Sequence, residues 1–179
     1  MYKRIIQYLF LFLGAGALAL AQFSLVSALP WPISNFDLPV VAIIFAFLLV
    51  SRDRAWFLAA AMGWFLDILG FHPFGISILS LTLSVVIVYL ILENLLTNRS
   101  LYSFLLLTAI GIISEAFISN ILLSVFDLSE NVNRFFLIRG SFWESLGWSL
   151  LLGLVAVGLF FNLLAVVSRR FQPFFLKKR

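Results

Sequence analysis

Long apolar runs, separated by short breaks rich in charge, proline or glycine, make up almost all of this 179-residue chain. Hydrophobic residues are 63% of the sequence and charged residues 11%, whereas a soluble globular domain carries about 25% charged residues. In a bilayer every backbone amide needs a partner inside the protein, so only helices and closed barrels can span it. The runs lack the alternating polarity of barrel strands. The sequence therefore predicts an all-α integral membrane protein.

The breaks divide the chain into six predicted spans within one transmembrane domain, residues 1–179. At ~20 residues per span, six helices use nearly the whole chain and leave little for a soluble domain. The second and third runs are short, and a re-entrant hairpin is the alternative to two spans. The predicted spans are about 5–28, 38–50, 55–69, 76–92, 101–125 and 142–167.

The distribution of cationic residues predicts the orientation of these spans. With six spans and both termini in the cytoplasm, ten cationic residues lie inside and two outside, which fits the positive-inside rule. A re-entrant hairpin would move Arg52 and Arg54 to the outside and weaken this bias. We therefore predict six spans, with a basic turn at residues 51–54. The ten inside residues are Lys3, Arg4, Arg52, Arg54, Arg99, Arg169, Arg170, Lys177, Lys178 and Arg179.

Composition also argues against several kinds of site. The chain has no cysteine and one histidine, which disfavours thiolate and histidine metal sites. The sequence lacks a basic stripe on a polar face, which disfavours a nucleic-acid partner. The basic, Phe-rich C-terminal tail suits binding to anionic lipid. No nucleophile motif or phosphate-binding glycine loop is present. We expect a protein that is not an enzyme and has no cofactor.

Among the polar residues inside the predicted spans we single out Asp67, Glu115, Asn120 and Asn162. An ionisable side chain at membrane depth costs roughly 2.5–3.5 kcal/mol, so each needs a compensating role. Asp67 and Glu115 fall at similar predicted depth, in the outer half, and one pocket shared by both is one interpretation. The alternative is interhelical hydrogen bonding that holds the bundle together, since a glycine lies four residues before Asp67, Glu115 and Asn162 on the same helix face.

Two further segments are candidate partner contacts. Ala15 and Ala19 form a small-xxx-small pair that lets another helix approach closely, either from the same chain or from a partner. The predicted external stretch holds an apolar quartet between two cations, which suits either the headgroup region or a docking patch. The residues of this stretch that we single out are Arg134, Phe135, Phe136 and Arg139.

Residues 63–75 read Gly-Trp-Phe-Leu-Asp-Ile-Leu-Gly-Phe-His-Pro-Phe-Gly and precede a Leu/Ser-rich run. This segment resembles the rod shape-determining protein MreD family, in which the third helix ends in Gly-x-x-x-Asp and a Pro-x-Gly turn opens the fourth. Gly63, Asp67, Pro73 and Gly75 fall on that pattern. The resemblance implies a multi-pass protein of the bacterial cytoplasmic membrane.

The same resemblance implies a non-catalytic function. Members of this family act as scaffolds of the cell-elongation complex and support lateral peptidoglycan synthesis and rod shape. The implied partners are an MreC-like single-span membrane protein and the cell-wall elongation synthase and transpeptidase.

Two other classes of function stay open. Six short hydrophobic helices are also similar to the substrate-binding subunits of energy-coupling-factor vitamin transporters, which bind a small molecule near the outer face. That alternative predicts a cavity lined by tryptophan, asparagine and charged groups, for which Trp31, Trp64 and Trp143 are candidates. A membrane enzyme acting on lipid is the third class.

Overall fold

The computed structural model describes residues 2–49, 52–70, 73–95, 101–126 and 140–171. Within these residues the protein is all-helical, as predicted, with six α-helices. The helices are α1 (Tyr2–Ala21), α2 (Leu38–Leu49), α3 (Arg52–Leu69), α4 (Ile76–Leu95), α5 (Leu101–Phe126) and α6 (Gly140–Phe171). A π-helical turn (Gln22–Val26) extends α1, and a 3-10 turn (Ile33–Asn35) precedes α2.

Four helical segments in the described part of the chain are long and apolar enough to cross a membrane. This length and apolarity indicate a membrane protein. Large apolar side chains, such as Leu9, Phe10 and Leu159, stay exposed along the outer faces of the helices, where lipid is the natural environment. The four segments are Ile5–Val26, Ile76–Asn94, Tyr102–Val125 and Gly140–Leu163.

Helix α2 is the short central element of the bundle. Its 12 residues rise only ~18 Å, which is less than the ~30 Å hydrocarbon core of a bilayer. Val40, Ile43 and Ile44 are almost completely buried, and α2 packs against α3, α5 and α6. A helix that is apolar on all sides is stable when protein surrounds it, so α2 owes its place to packing against its neighbours.

Helix α3 begins at Arg52, three residues before the predicted start of the third span. The segment Arg52–Arg54, which we predicted as a turn, forms the first turn of this helix. Asp53 lies in that turn, where a carboxylate interacts favourably with the positive end of the helix dipole. Helix α6 likewise continues beyond its predicted end, to Phe171.

Helix α1 packs on α3 through its small residues. Ala15 and Ala19 have no exposed surface, and a Cβ at Gly16 would lie 3.0 Å from the Phe65 ring. The small-xxx-small pair therefore serves contact within the chain. Of the two alternatives that the sequence left open for these alanines, the structure shows contact within the chain, because a second protein has no surface of theirs to touch.

Candidate functional site

The Asp67 side chain caps the N-terminus of α4 from the preceding helix. Its carboxylate accepts backbone N–H groups from Gly75 at 2.9 Å, Ser77 at 2.8 Å and Ile78 at 3.2 Å. The first N–H groups of a helix have no partner within the helix, and glycine, the residue before α4, has no side chain to supply one. Asp67 is 5% exposed, so this cap is buried.

Gly63 allows the close approach on which this cap depends. A Cβ at Gly63 would lie 2.6 Å from Ile78 Cα and 2.8 Å from the carbonyl oxygen of Ser77. Both atoms belong to the backbone of α4, so no side chain can rotate away. Gly63 and Asp67 thus occupy one face of α3 and hold the first turn of α4 against it.

The turn between α3 and α4 uses the other two residues of the motif. Gly75 adopts φ +104°, a left-handed conformation that favours glycine over other residues. Pro73 lies beyond the end of α3 and cannot donate a backbone hydrogen bond to continue a helix. All four motif residues therefore have structural roles in the unit formed by α3, α4 and the turn between them.

Gln22 fixes the connection between α1 and α2 at the same end of the bundle. Its Nε2 donates to the Phe36 carbonyl oxygen at 3.1 Å, and its Oε1 accepts the Leu38 N–H at 3.2 Å. The side chain thereby satisfies a free backbone N–H at the start of α2. Gln22 also opens the π-helical turn, in which its carbonyl accepts the N–H and the hydroxyl of Ser27.

A polar cavity of about 530 Å³ opens at this end of the bundle. It is lined by the end of α1, the α1–α2 connection and the start of α2, by the end of α3 and the start of α4, and by α5 and the start of α6. Its polar lining residues are Gln22, Ser27, Ser34, Asn35, Asp37, Ser77, Glu115, Ser119, Asn120, Ser145 and Ser149. Ligand pockets of proteins typically measure 300–1,000 Å³, so this cavity has the size for a small molecule.

Two carboxyl groups, of Asp37 and Glu115, face the polar cavity. Asp37 Oδ1 accepts the Val40 N–H at 3.3 Å and so caps α2, and burial raises the pKa of Asp37 to about 6. Glu115 Oε1 accepts the Ser80 hydroxyl at 3.4 Å. The two groups are close enough for their charges to repel each other. The cavity therefore brings two acidic side chains together, and no lysine, arginine or histidine is among its described lining residues.

The other intramembrane polar residues take different positions. Asp67 does not line the cavity, so of our two interpretations the pocket shared by Asp67 and Glu115 is not the one that the structure shows. The reason is that the Asp67 carboxylate is directed at the backbone of α4. Asn120 lines the cavity and donates to the Ala116 carbonyl at 2.7 Å.

Asn162 lies on the outward face of α6, not inside the bundle. It belongs to what we name the α6 surface stripe, one residue per turn on the side away from the core. A Cβ at Gly147 or at Gly158 would have no atom of the described residues within 4 Å. Within the described residues, the helix–helix contact that we predicted for Gly158 and Asn162 is therefore not formed. The stripe comprises Glu144, Gly147, Leu151, Val155, Gly158 and Asn162.

The tryptophans do not form the predicted cavity lining. Trp31, Trp64 and Trp143 are exposed by 57%, 40% and 55%, and none of them lines the cavity. Trp31 instead packs edge-on against Trp148, with ring centroids 5.9 Å apart. This arrangement suits the membrane interface, where amphipathic rings anchor a protein.

The residues that sequence reasoning missed as cavity residues are Gln22 and Asp37. The only available signal was a polar residue just inside, or just outside, an apolar run. In the described part of the chain no three His, Cys, Asp or Glu residues gather to hold a metal ion. The candidate contacts Arg134, Phe135, Phe136 and Arg139 lie outside the described residues.

Comparisons of this chain with protein-family models, with curated proteins and with solved structures gave no match.

Proposed function

We propose that this chain is a non-catalytic scaffold subunit of the bacterial cell-elongation complex. It lies in the cytoplasmic membrane, binds an MreC-like single-span protein and the elongation synthase and transpeptidase, and so supports lateral peptidoglycan synthesis and rod shape. The observation that carries the proposal is the α6 surface stripe. The resemblance of residues 63–75 to the MreD family supplies the identity of the partners.

The α6 surface stripe has the chemistry of a helix-binding face. Polar side chains that face lipid are unfavourable, yet Glu144 and Asn162 are exposed on this face. Gly147 and Gly158 each have open space where a Cβ would lie, and small residues allow helix backbones to approach closely. A single transmembrane helix from a partner would cover the glycines and satisfy the amide of Asn162.

The proposed topology has six spans with both termini in the cytoplasm. The cationic bias of ten inside to two outside supports this orientation. The polar cavity is lined by the ends of α1 and α3, by the later part of α5 and by the starts of α2, α4 and α6. This arrangement is expected when successive helices alternate in direction. In this topology the cavity lies at the external end of the bundle.

The test is co-purification from native membranes with a tagged chain. We expect wild-type protein to recover a single-span membrane protein together with the elongation enzymes. Gly158→Leu fills the open space on α6, and we expect it to reduce recovery of the single-span partner ~tenfold, equivalent to ~1.4 kcal/mol of binding free energy. The control is Ala60→Leu, which enlarges an exposed small residue on α3. Equal recovery by wild type and Gly158→Leu would contradict the assignment of α6.

A second candidate function is supported by the polar cavity. A substrate-binding subunit of an energy-coupling-factor-type vitamin transporter needs a small-molecule site near the outer face, and a cavity of about 530 Å³ meets that need. The same co-purification separates the two functions. Recovery of an ATPase pair instead of elongation enzymes would favour the transporter and overturn the scaffold.

A further inference from the structure

The charged side chains among the described lining residues of the polar cavity are all acidic. Asp37 and Glu115 approach it from the start of α2 and from α5, and their charges repel each other. Of the lining residues that the structure describes, none is a lysine, arginine or histidine. Two carboxylates without a basic partner are stabilised by any cation that enters between them.

The remaining lining supplies neutral hydrogen-bonding groups. Amides of Asn35 and Asn120 and hydroxyls of Ser145 and Ser149 border the same space. Such groups accept hydrogen bonds from ammonium or amine N–H donors. The volume of about 530 Å³ far exceeds the ~30 Å³ of a single water molecule. The site therefore fits an organic molecule better than a bare metal ion, which needs ligands at 2.0–2.6 Å on several sides.

We propose that the polar cavity binds a small organic cation that carries amine groups, held between the carboxylates of Asp37 and Glu115. A rigid frame supports the site: Gln22 fixes the α1–α2 connection, and the Asp67 cap fixes the α3–α4 turn. This inference goes beyond the scaffold function, because a scaffold needs no ligand, and it does not depend on that function.

The probe is putrescine, a linear dication whose two ammonium groups can each meet one carboxylate. Its neutral analogue is 1,4-butanediol, and succinate is the dianion of similar length. Isothermal titration calorimetry uses the full chain in an uncharged detergent at pH 8.5, which is well above the pKa of about 6 of Asp37. We expect saturable binding of putrescine, at least ~tenfold tighter than that of butanediol, and no binding of succinate.

Two variants remove charge and keep the local hydrogen bonds. Asp37→Asn retains a capping side chain for α2, because asparagine and aspartate are equally good caps. Glu115→Gln retains an oxygen that accepts the Ser80 hydroxyl. We expect each to weaken putrescine binding at least ~fivefold, and the double variant to abolish the preference over butanediol. Glu144→Gln is the matched control, since it removes an exposed carboxylate from α6 outside the cavity lining.

Several results would overturn the proposal. Absence of saturable putrescine binding to wild-type protein would do so, as would equal affinity for putrescine and butanediol. A loss of binding in Glu144→Gln as large as that in Asp37→Asn would show attraction to the surface instead of the cavity. None of these measurements depends on partner recovery, so failure here is distinct from failure of the scaffold function.

Discussion

The carboxylate of Asp67 accepts the backbone N–H of Ser77 at 2.8 Å, so a side chain of α3 supplies the acceptor that the first turn of α4 lacks. From Ser77 the contacts continue towards the cavity. The Ser77 carbonyl accepts the Ser80 hydroxyl at 3.3 Å, and the same hydroxyl reaches Glu115 at 3.4 Å. The Asp67 cap and the polar cavity therefore share the first turn of α4.

We expect Asp67→Asn to lower the free energy of unfolding by about 1.5–3 kcal/mol, the typical worth of a hydrogen bond to a charged group. An asparagine offers one acceptor oxygen to three N–H donors, and its own NH₂ group is a donor as well. Thermal unfolding in detergent measures the change. Asp53→Asn is the control, because Asp53 is an exposed carboxylate on the same helix. Equal unfolding temperatures for both variants would contradict the capping role.

A series of Gly→Ala substitutions tests how closely the helices approach. Gly63→Ala places Cβ 2.6 Å from backbone of α4, so α3 and α4 must separate; we expect a loss of about 1–3 kcal/mol. Gly153→Ala places Cβ 2.5 Å from the terminal methyl group of Ile112, so a side chain and not a backbone must shift, and we expect a smaller loss. Gly158→Ala meets no described atom within 4 Å and should be neutral or stabilising by up to about 1 kcal/mol. Any other order of stability would contradict the packing described for Gly63.

Much of the fold could be predicted from the pattern of apolar runs. The long helices α4, α5 and α6 begin within two residues of the starts of the predicted spans. Their positions could be predicted because the apolarity and the length of a segment are both local properties of the sequence. The start of α3 could not be predicted in this way. Arginine and aspartate next to a serine suggest a loop by polarity, yet arginine is a good helix former and aspartate suits a first turn.

The candidate site was harder to predict because it is assembled from distant segments. Asp67 and Glu115 were identified by the cost of a carboxyl group in an apolar run. The hydrogen-bond partners of Asp67 and Glu115 depend on how the helices pack, which cannot be predicted from residue spacing within one helix. Gln22 and Asp37 lie at the ends of spans, where polar residues are ordinary. Asn162 shares a face with Gly158 by periodicity, but only tertiary packing shows that this face is directed outward.

Gln22→Leu should loosen the connection between α1 and α2. The substitution removes both the donor to Phe36 and the acceptor for Leu38, and leaves a backbone N–H at the start of α2 without a partner. We expect a loss of about 1–3 kcal/mol and faster hydrogen exchange at the Leu38 amide, followed by mass spectrometry. Ser24→Ala, which removes an exposed hydroxyl from the same turn, should leave exchange at Leu38 unchanged. Unchanged exchange in Gln22→Leu would contradict the bridging role.

The protonation of Asp37 predicts how stability depends on pH. Burial raises the pKa of Asp37 from 3.8 to about 6 in the folded protein, while the N–H of Val40 opposes part of that rise. The folded state therefore holds this proton more tightly than the unfolded state does, so stability from Asp37 is greatest below pH 3.8 and is lost as the pH rises through 6.

Asp37→Asn isolates this effect from all other carboxyl groups. We expect the unfolding temperature of wild-type protein in detergent to fall more steeply than that of Asp37→Asn as the pH rises from about 4 to 7, because the variant cannot ionise at this position. The variant should also be the more stable of the two at pH 7, where burial of the charge no longer opposes folding. If the unfolding temperatures of the two proteins fell in parallel across this range, Asp37 would be as well hydrated in the folded protein as in the unfolded chain.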